Sequence, residues 1–301
     1  MPWKTLILHL SREQVEAVEQ QLIAAGAMSV SLSDAGDVPV LEPAPGETPL
    51  WPENTLTALF DSSCELHMLA SRLEKDHSLT TPPRIETLRD QDWTRVWMDD
   101  FHPLRCGNRL WICPSWETPL EPDAVNLILD PGLAFGTGTH PTTALCLEWL
   151  DASPPTDKLV LDYGCGSGIL GLAALKLGAR HVWAVDIDPQ ALSATEDNAA
   201  RNQISQESLD VAKPDELPAL SFDLIIANIL AAPLAVLAPT LCRLLKPGGR
   251  LVLSGILEEQ ADALYEAYAA CLGNWEPKCA RDGWVRLVGQ RSRNAGASQT
   301  S

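Results

Sequence analysis

The sequence predicts a two-domain protein: a larger C-terminal domain of the α/β class, preceded by a smaller α+β domain. Three observations support this prediction. Apolar runs alternate with helical stretches in the second half of the chain, and one of these runs leads directly into a glycine-rich turn. Before residue 90, strand and helix patterns follow a different order, with two strand patterns in succession between two helices. A chain of 301 residues is long enough to bury two separate cores.

The smaller domain is predicted over residues 1–90, from the order βαββαβ. Ser11 and Gln14 form a capping-box pattern at the start of the first helix, and Gly26 ends that helix. The order is typical of the ferredoxin-like fold. The predicted strands are 3–10, 29–34, 56–61 and 84–90, and the second helix is 64–77. The sequence of this domain has no glycine-rich phosphate loop, so we interpret it as binding a partner rather than catalysing a reaction.

Residues 91–127 are predicted to connect the two domains. The segment is rich in tryptophan, and Trp93 and Trp97 share a helix face because they are four residues apart. We interpret the tryptophans as packing between domains, with a ligand cage as the alternative. The larger domain is predicted over residues 128–291, and residues 292–301 are predicted to be a disordered tail.

Continuous apolar runs, typical of parallel strands buried on both faces, recur through the larger domain. The helical stretches between them predict an open, Rossmann-like sheet with helices on both faces. Near the end, Asp282 and Gly283 between two short strand patterns predict a hairpin. The predicted strands are 158–164, 181–188, 222–230 and 249–256, and the predicted helices are 169–177, 189–202, 234–245 and 258–272.

The glycine-rich turn "GCGSG" follows the first of these strands and admits two interpretations. Gly166, Gly168 and Gly171 match the pattern of dinucleotide-dependent dehydrogenases, with Asp186 at the end of the next strand. Gly164, Gly166 and Gly168 instead match the loop of S-adenosylmethionine-dependent methyltransferases. In those enzymes a carboxylate on the second strand holds the ribose hydroxyls of the cofactor.

Two features favour the methyltransferase interpretation. Asn228 lies at the tip of the strand 222–230, where ligands bind in an open α/β sheet. Its side-chain oxygen can accept a hydrogen bond from an amine N–H group. The second feature is the C-terminal hairpin, which is typical of class I methyltransferases, whereas dehydrogenases usually continue with further parallel strands.

Composition and charge narrow the classes of partner. The net charge of -18 disfavours a nucleic acid and favours a basic protein or a small molecule. The eight cysteines contain no C-x-x-C pair, so we predict no metal site. Cys146, Cys242 and Cys271 lie in apolar runs and are predicted to be reduced, buried thiols. No apolar stretch approaches the roughly 18 residues of a membrane span, and no signal peptide is evident, so we predict a cytoplasmic protein without a membrane partner.

Five motifs together resemble the bacterial PrmA family of ribosomal protein methyltransferases, over nearly the whole chain. They are "DPGLAFGTGTHPTT", "LDYGCGSGIL", "AVDIDPQAL", "NILAAPL" and "LSGIL". The resemblance implies a class I S-adenosylmethionine-dependent methyltransferase domain and a ferredoxin-like domain that recognises the substrate. It implies trimethylation of lysine side-chain and N-terminal α-amino groups of the large-subunit ribosomal protein numbered eleven, by a monomer with no direct nucleic-acid partner. The alternatives are methylation of another protein or of a small-molecule amine, and an NAD-dependent oxidoreductase.

The resemblance also implies cofactor contacts at Thr143, Gly164, Asp186 and Asn228. Asn228 is the predicted catalytic residue, and the loop 130–143 is predicted to fold over the methionine end of the cofactor. Phe135 either walls the methyl-transfer channel or belongs to the core, and both interpretations remain open. His140, next to a proline, is interpreted as hydrogen-bonding locally, with a catalytic base as the alternative. The predicted cofactor-binding residues are Phe135, Thr143, Gly164, Gly166, Gly168, Asp186 and Asn228.

Overall fold

The computed structural model describes residues 3–36, 50–88, 101–130 and 138–293. The chain divides into two compact units, Met1–Asp100 and Phe101–Ser301. Sequence patterning placed the end of the first domain near residue 90. Residues 89–100, including Trp93 and Trp97, lie outside the described residues.

The first unit contains one antiparallel sheet with the strand order β2-β3-β1-β4. Two helices pack on one face of this sheet, so the unit has the βαββαβ, ferredoxin-like arrangement. The Ser11 N–H group donates to the Gln14 side chain at 2.9 Å, as the capping-box pattern predicts. Its elements are β1 (Trp3–Ser11), α1 (Arg12–Ala24), β2 (Ser29–Asp34), β3 (Glu53–Asp61), α2 (Leu66–Asp76) and β4 (Arg84–Leu88).

The core of the first unit follows from the alternation along β1 and β3. Successive side chains on a strand point to opposite faces of the sheet, so buried apolar residues alternate with less buried ones at Leu6–Leu10 of β1 and at Leu56–Phe60 of β3. The helices contribute residues spaced three or four apart, as one helix face requires. The buried core residues include Leu6, Leu8, Leu10, Val15, Val18, Leu22, Leu56, Ala58, Phe60, Leu66 and Leu73.

The second unit is built on an eight-stranded sheet with the order β10-β9-β8-β11-β12-β15-β13, in which β14 also pairs with β15. The five strands from β10 to β12 are parallel, and β15 runs antiparallel to β12. The strands of this sheet are β8 (Leu159–Tyr163), β9 (His181–Val185), β10 (Leu209–Ala212), β11 (Phe222–Asn228), β12 (Leu245–Leu257), β13 (Leu272–Gly273), β14 (Cys279–Arg281) and β15 (Trp284–Arg291).

Helices cover both faces of this sheet, and each face has its own buried apolar cluster. This is the open, doubly wound architecture that the alternation of strands and helices predicts. The helices are α3 (Pro141–Ala152), α4 (Ile169–Lys176), α5 (Pro189–Arg201), α6 (Ala231–Leu244) and α7 (Ala261–Tyr268). No helix in the described residues is both long and apolar enough to cross a membrane.

The predicted connector differs from the structure over residues 101–127. These residues form most of a three-stranded sheet, composed of β5 (Leu104–Cys106), β6 (Leu110–Cys113) and β7 (Val125–Ile128). Its residues Leu110, Ile112 and Leu127 are fully buried in the core of the second unit. The side chain of Asn202 also pairs with both backbone groups of Ile128, at 2.8 and 2.6 Å. The second unit therefore begins near residue 101 rather than at 128.

The prediction that the cysteines are reduced thiols is wrong for one pair. Cys242, in α6, and Cys271, just after α7, form a disulfide with a Cα–Cα distance of 6.0 Å. The two cysteines are 29 residues apart in sequence, and the packing of α6 against α7 brings them together. This proximity cannot be predicted from a local sequence pattern. Cys146, in contrast, is a free and fully buried thiol.

Candidate active site

The glycine-rich turn after β8 needs glycine for two reasons. Gly164, Gly166 and Gly168 all have positive φ, at 76°, 55° and 78°, which side chains with a Cβ disfavour. A Cβ on Gly164 would also overlap the side chain of Ile229, and one on Gly168 would lie 2.7 Å from that of Thr195. At these glycines the backbone of the turn can therefore approach a ligand closely, because a glycine has no side chain.

Asp186 braces this turn from the end of β9. One carboxylate oxygen accepts the Gly166 N–H at 3.0 Å, and the other accepts the Asp188 N–H at 3.0 Å. Asp188 caps α5 by accepting the Gln190 N–H at 2.9 Å. The two carboxylates are only two residues apart but have different roles: Asp186 holds the glycine turn, and Asp188 caps α5. Asp186 faces the glycine turn, and its remaining lone pairs are available to a ligand.

Asn228 and Thr143 meet across 85 residues of sequence. The amide nitrogen of Asn228, at the tip of β11, donates to the hydroxyl oxygen of Thr143 at 3.1 Å. That bond leaves the Thr143 hydroxyl hydrogen free to be donated. It also turns the Asn228 side-chain oxygen away from Thr143, and no described residue donates to that oxygen. The pair therefore presents one donor and one acceptor side by side.

His140 and Pro141 set where α3 begins. Pro141 occupies the first turn, where its missing N–H costs nothing. His140 is the N-cap, and its Nδ1 accepts the Thr142 N–H at 3.4 Å. Burial lowers the pKa of His140, so the ring is neutral at pH 7. The interpretation of a locally bonded histidine is confirmed.

These groups line one cavity of about 410 Å³ at the carboxyl ends of the parallel strands. Sites for small molecules commonly have about 300–1,000 Å³. Five of the predicted cofactor-binding residues lie in its wall: Thr143, Gly164, Gly166, Asp186 and Asn228. The other described residues of the wall are His140, Thr142, Cys165, Ile169, Leu170, Ile229, Leu230, Gly255 and Trp284.

Two predicted site residues are not among the described residues of this wall. Gly168 is outside the described lining and instead is the N-cap of α4. Phe135 lies outside the described residues, as do residues 131–137 of the loop. The sequence analysis also missed several lining residues. Of these, Ile229 and Leu230 directly follow Asn228 and were detectable from that position, whereas Trp284 was not, because its place depends on how the C-terminal hairpin packs.

Asp162 lies behind the turn and is fully buried. Its carboxylate accepts the Gly171 N–H of α4 at 2.8 Å. Desolvation, together with the nearby charge of Asp186, raises the pKa of Asp162 to about 7, and the Gly171 hydrogen bond opposes that rise. Asp162 therefore supports the first turn of α4 from inside the protein and does not line the cavity.

The cavity fits S-adenosylmethionine by the chemistry of its walls. An aspartate with spare lone pairs suits ribose hydroxyls, and a turn that leaves no room for a Cβ at Gly164 and Gly168 suits a nucleoside lying against the backbone. A hydroxyl donor at a helix start suits a carboxylate. The antiparallel β15 distinguishes the sheet from that of the dehydrogenases. Fold and site together define a class I S-adenosylmethionine-dependent methyltransferase.

Comparison with known proteins narrows the class to one family. The family model described as "Ribosomal protein L11 methyltransferase (PrmA)" matches residues 2–292. A protein of that name from Cellvibrio japonicus is 52% identical over 294 residues, covering 97% of this chain and all of its own length. One from Pseudomonas fluorescens (strain Pf0-1) is 53% identical over 292 residues, again over its whole length. The chain belongs to the PrmA family.

A solved structure supports the fold. The crystal structure of a ribosomal protein L11 methylase from Lactobacillus delbrueckii subsp. bulgaricus is similar with a TM-score of 0.56 and 36% sequence identity. It covers 64% of this chain and the whole of the other. The predictions of a methyltransferase and of its cofactor are confirmed, and the alternative of an NAD-dependent oxidoreductase has no support.

Proposed function

We propose that this protein transfers methyl groups to lysine side-chain and N-terminal α-amino groups of ribosomal protein L11, up to the trimethylated state. The observation that carries the chemistry is the Asn228–Thr143 pair, which offers in the wall of the cavity an amide oxygen to which no described residue donates. The substrate follows from the names of full-length relatives at about 52% identity. Bound S-adenosylmethionine supplies an electrophilic methyl group on a positively charged sulfur.

The residues of the chain have to bind, orient and desolvate an amine. Asp186 would hold the ribose, Thr143 would donate to the carboxylate, and the Asn228 oxygen would accept an amine N–H. That hydrogen bond would aim the nitrogen lone pair, which is the positioning that accelerates such a reaction. The wall beside Asn228 is apolar, since Ile229 and Leu230 follow it, and these side chains would reduce the contact of the amine with water.

A dedicated base is not required by this chemistry. A lysine with a pKa of about 10.4 is neutral in roughly one molecule in 2,500 at pH 7. Desolvation and a neighbouring positive charge both lower the pKa of an amine. His140 is neutral, and its Nδ1 already accepts the Thr142 N–H. We therefore propose that the amine loses its proton to solvent as it enters the site, without a dedicated base.

The first unit and the charge of the chain would serve recognition. We propose that residues 1–90 dock the ribosomal protein and that the net charge of -18 attracts this basic partner. The same charge disfavours direct contact with nucleic acid. We further propose a monomer in the cytoplasm, where ribosomal proteins are made.

The test is direct. Purified protein is incubated with ribosomal protein L11 and S-adenosylmethionine, and the intact mass and peptide map of the substrate are followed by mass spectrometry. We expect successive additions of methyl mass on lysine and on the N-terminal residue. An unmodified substrate, in the presence of an enzyme that binds the cofactor, would refute the proposed substrate.

A further inference from the structure

Trp284 lines the cavity, but the proposed function assigns no role to it. It is the first residue of β15, directly after the turn at Asp282 and Gly283. Although it lies 56 residues beyond Asn228 in sequence, both side chains line the same cavity. Its indole ring is half-buried. Trp284 thus places an aromatic ring in the same cavity as Asn228, the residue proposed to orient the amine.

Ser254 connects the segment that carries Trp284 to the segments that carry Asn228 and Thr143. This fully buried residue pairs in register with Asn228 across the sheet. Its hydroxyl lies 3.1 Å from the Thr142 carbonyl and 3.3 Å from the Val285 carbonyl. Thr142 precedes Thr143, and Val285 follows Trp284. One buried hydroxyl thus links the strand tip, the start of α3 and the start of β15.

His140 fixes the orientation of the indole ring. The two rings meet edge to face, with centroids 5.0 Å apart and an interplanar angle of 69°. His140 is itself held by its cap on α3. Because burial lowers the pKa of His140, its ring carries no charge that would repel a cation. Trp284 is therefore a rigid aromatic surface next to a neutral neighbour.

The changing chemistry of the substrate shows what such a surface can do. An unmethylated amine has N–H groups for the Asn228 oxygen, but each transfer replaces one N–H by a methyl group. A trimethylammonium group has no N–H left and cannot be held by hydrogen bonds. Among the described residues of the wall, Asp186 is the one carboxylate, and the proposed function assigns it to the ribose of the cofactor. A tryptophan face attracts quaternary ammonium groups through cation–π interaction.

We propose that Trp284, oriented by His140, forms a subsite for methylated ammonium groups and is a specificity-determining residue for the degree of methylation. This inference rests on the proposed function and adds how the site retains an amine that Asn228 can no longer hold. Asn228 acts on the primary and secondary amines, which still have an N–H, and Trp284 acts on the tertiary and quaternary forms.

The test compares two peptides with the full-length protein saturated with S-adenosylhomocysteine, which cannot donate a methyl group. One peptide carries trimethyl-lysine, and the other carries the same side chain with carbon in place of the charged nitrogen. The indole N–H resonance of Trp284 is followed by NMR and assigned by its loss in Trp284→Phe. We expect the charged peptide to bind about fivefold tighter, within the range of partly buried cation–π contacts. Equal affinities would mean that Trp284 is only an apolar wall, which overturns the proposal whether or not any variant folds.

Three variants sharpen the result. In Trp284→Leu, binding measured by calorimetry should lose the preference for the charged peptide, whereas Trp284→Phe should keep much of it. Trp275 packs edge-on against Tyr265 at 4.7 Å and is not among the lining residues, so Trp275→Leu should keep the preference in full. With ribosomal protein L11, Trp284→Leu should shift the product from trimethylated toward mono- and dimethylated amines at equal cofactor binding. An unchanged product distribution would contradict the proposal, whereas failure of the unaltered enzyme to methylate L11 would contradict the proposed function alone.

Discussion

At the residue scale, the Asp186 carboxylate accepts one backbone N–H with each of its oxygens. If it also holds the ribose, Asp186→Ala should weaken S-adenosylmethionine binding by about 1.5–3 kcal/mol, the range for a hydrogen bond to a charged group. Titration calorimetry measures this effect. Unchanged affinity in a folded variant would remove Asp186 from the site.

Asp188 is the matched control for this substitution. It caps α5, and its side chain is not part of the described cavity wall. Asp188→Ala should therefore cost about 1 kcal/mol of the free energy of unfolding through loss of the cap. Its effect on cofactor affinity should be smaller than that of Asp186→Ala.

Asn228 is expected to affect turnover more than binding. If its oxygen orients the amine, Asn228→Ala should lower kcat more than it weakens S-adenosylmethionine binding. Thr143→Val removes the hydroxyl that accepts from Asn228, so it should lower both kcat and the affinity for S-adenosylmethionine. Thr143→Ser keeps a hydroxyl and should retain both values. Steady-state kinetics and calorimetry on the same preparations give the comparison. Normal turnover in Asn228→Ala would exclude the positioning role.

At the element scale, the first turn of α4 depends on the buried carboxyl group of Asp162. Its pKa in the folded protein is raised to about 7, mainly by desolvation, whereas an exposed aspartate titrates near 3.9. The folded state thus binds the proton more tightly than the unfolded state. Burial of Asp162 therefore becomes steadily less favourable as the pH rises from about 4 to about 7.

This linkage is measurable by substitution. The free energy of unfolding of the unaltered protein, relative to Asp162→Asn, should fall between about pH 4 and pH 7 and level off above that range. Denaturant titrations at several pH values, without cofactor, give the difference. A difference that is constant with pH would mean that Asp162 does not change its protonation state on folding.

The boundaries of the helices and strands show which structural features can be predicted from local sequence patterns. The capping box at Ser11 and the hairpin turn at Asp282 and Gly283 were both predicted, because each depends on residues within a few positions. The start of α6 was predicted at 234 but lies at Ala231, with Pro233 in the first turn. Strand β10 was not predicted, since its four residues are all half-buried and have no marked periodicity.

At the scale of the whole molecule, the boundary near residue 101 makes a sharp prediction. A chain beginning at Phe101 retains β5–β7, so it should fold and bind S-adenosylmethionine. A chain beginning at residue 128, the boundary that the sequence predicted, would remove the buried Leu110, Ile112 and Leu127 and expose the core. Losing that many core side chains costs several kcal/mol. Thermal unfolding and calorimetry distinguish the two chains.

The chain beginning at Phe101 also tests the proposed role of the first unit. Docking energy brings a particular amine to the methyl group, so a chain beginning at Phe101 should lose most activity on ribosomal protein L11. It should still methylate short lysine peptides slowly. Full-length activity on L11 would show that the first unit is not the substrate reader.

The sequence alone determined what depends on neighbouring residues: the order of strands and helices, the glycine turn, and Asp186 at the end of the next strand. It also carried the motifs that identify the family. Tertiary structure alone decided which distant side chains meet. The Asn228–Thr143 bond, the Cys242–Cys271 disulfide and the place of Trp284 each join segments far apart in the chain. The physical reason is that turns and caps are set by local backbone geometry, whereas these contacts depend on how whole elements pack.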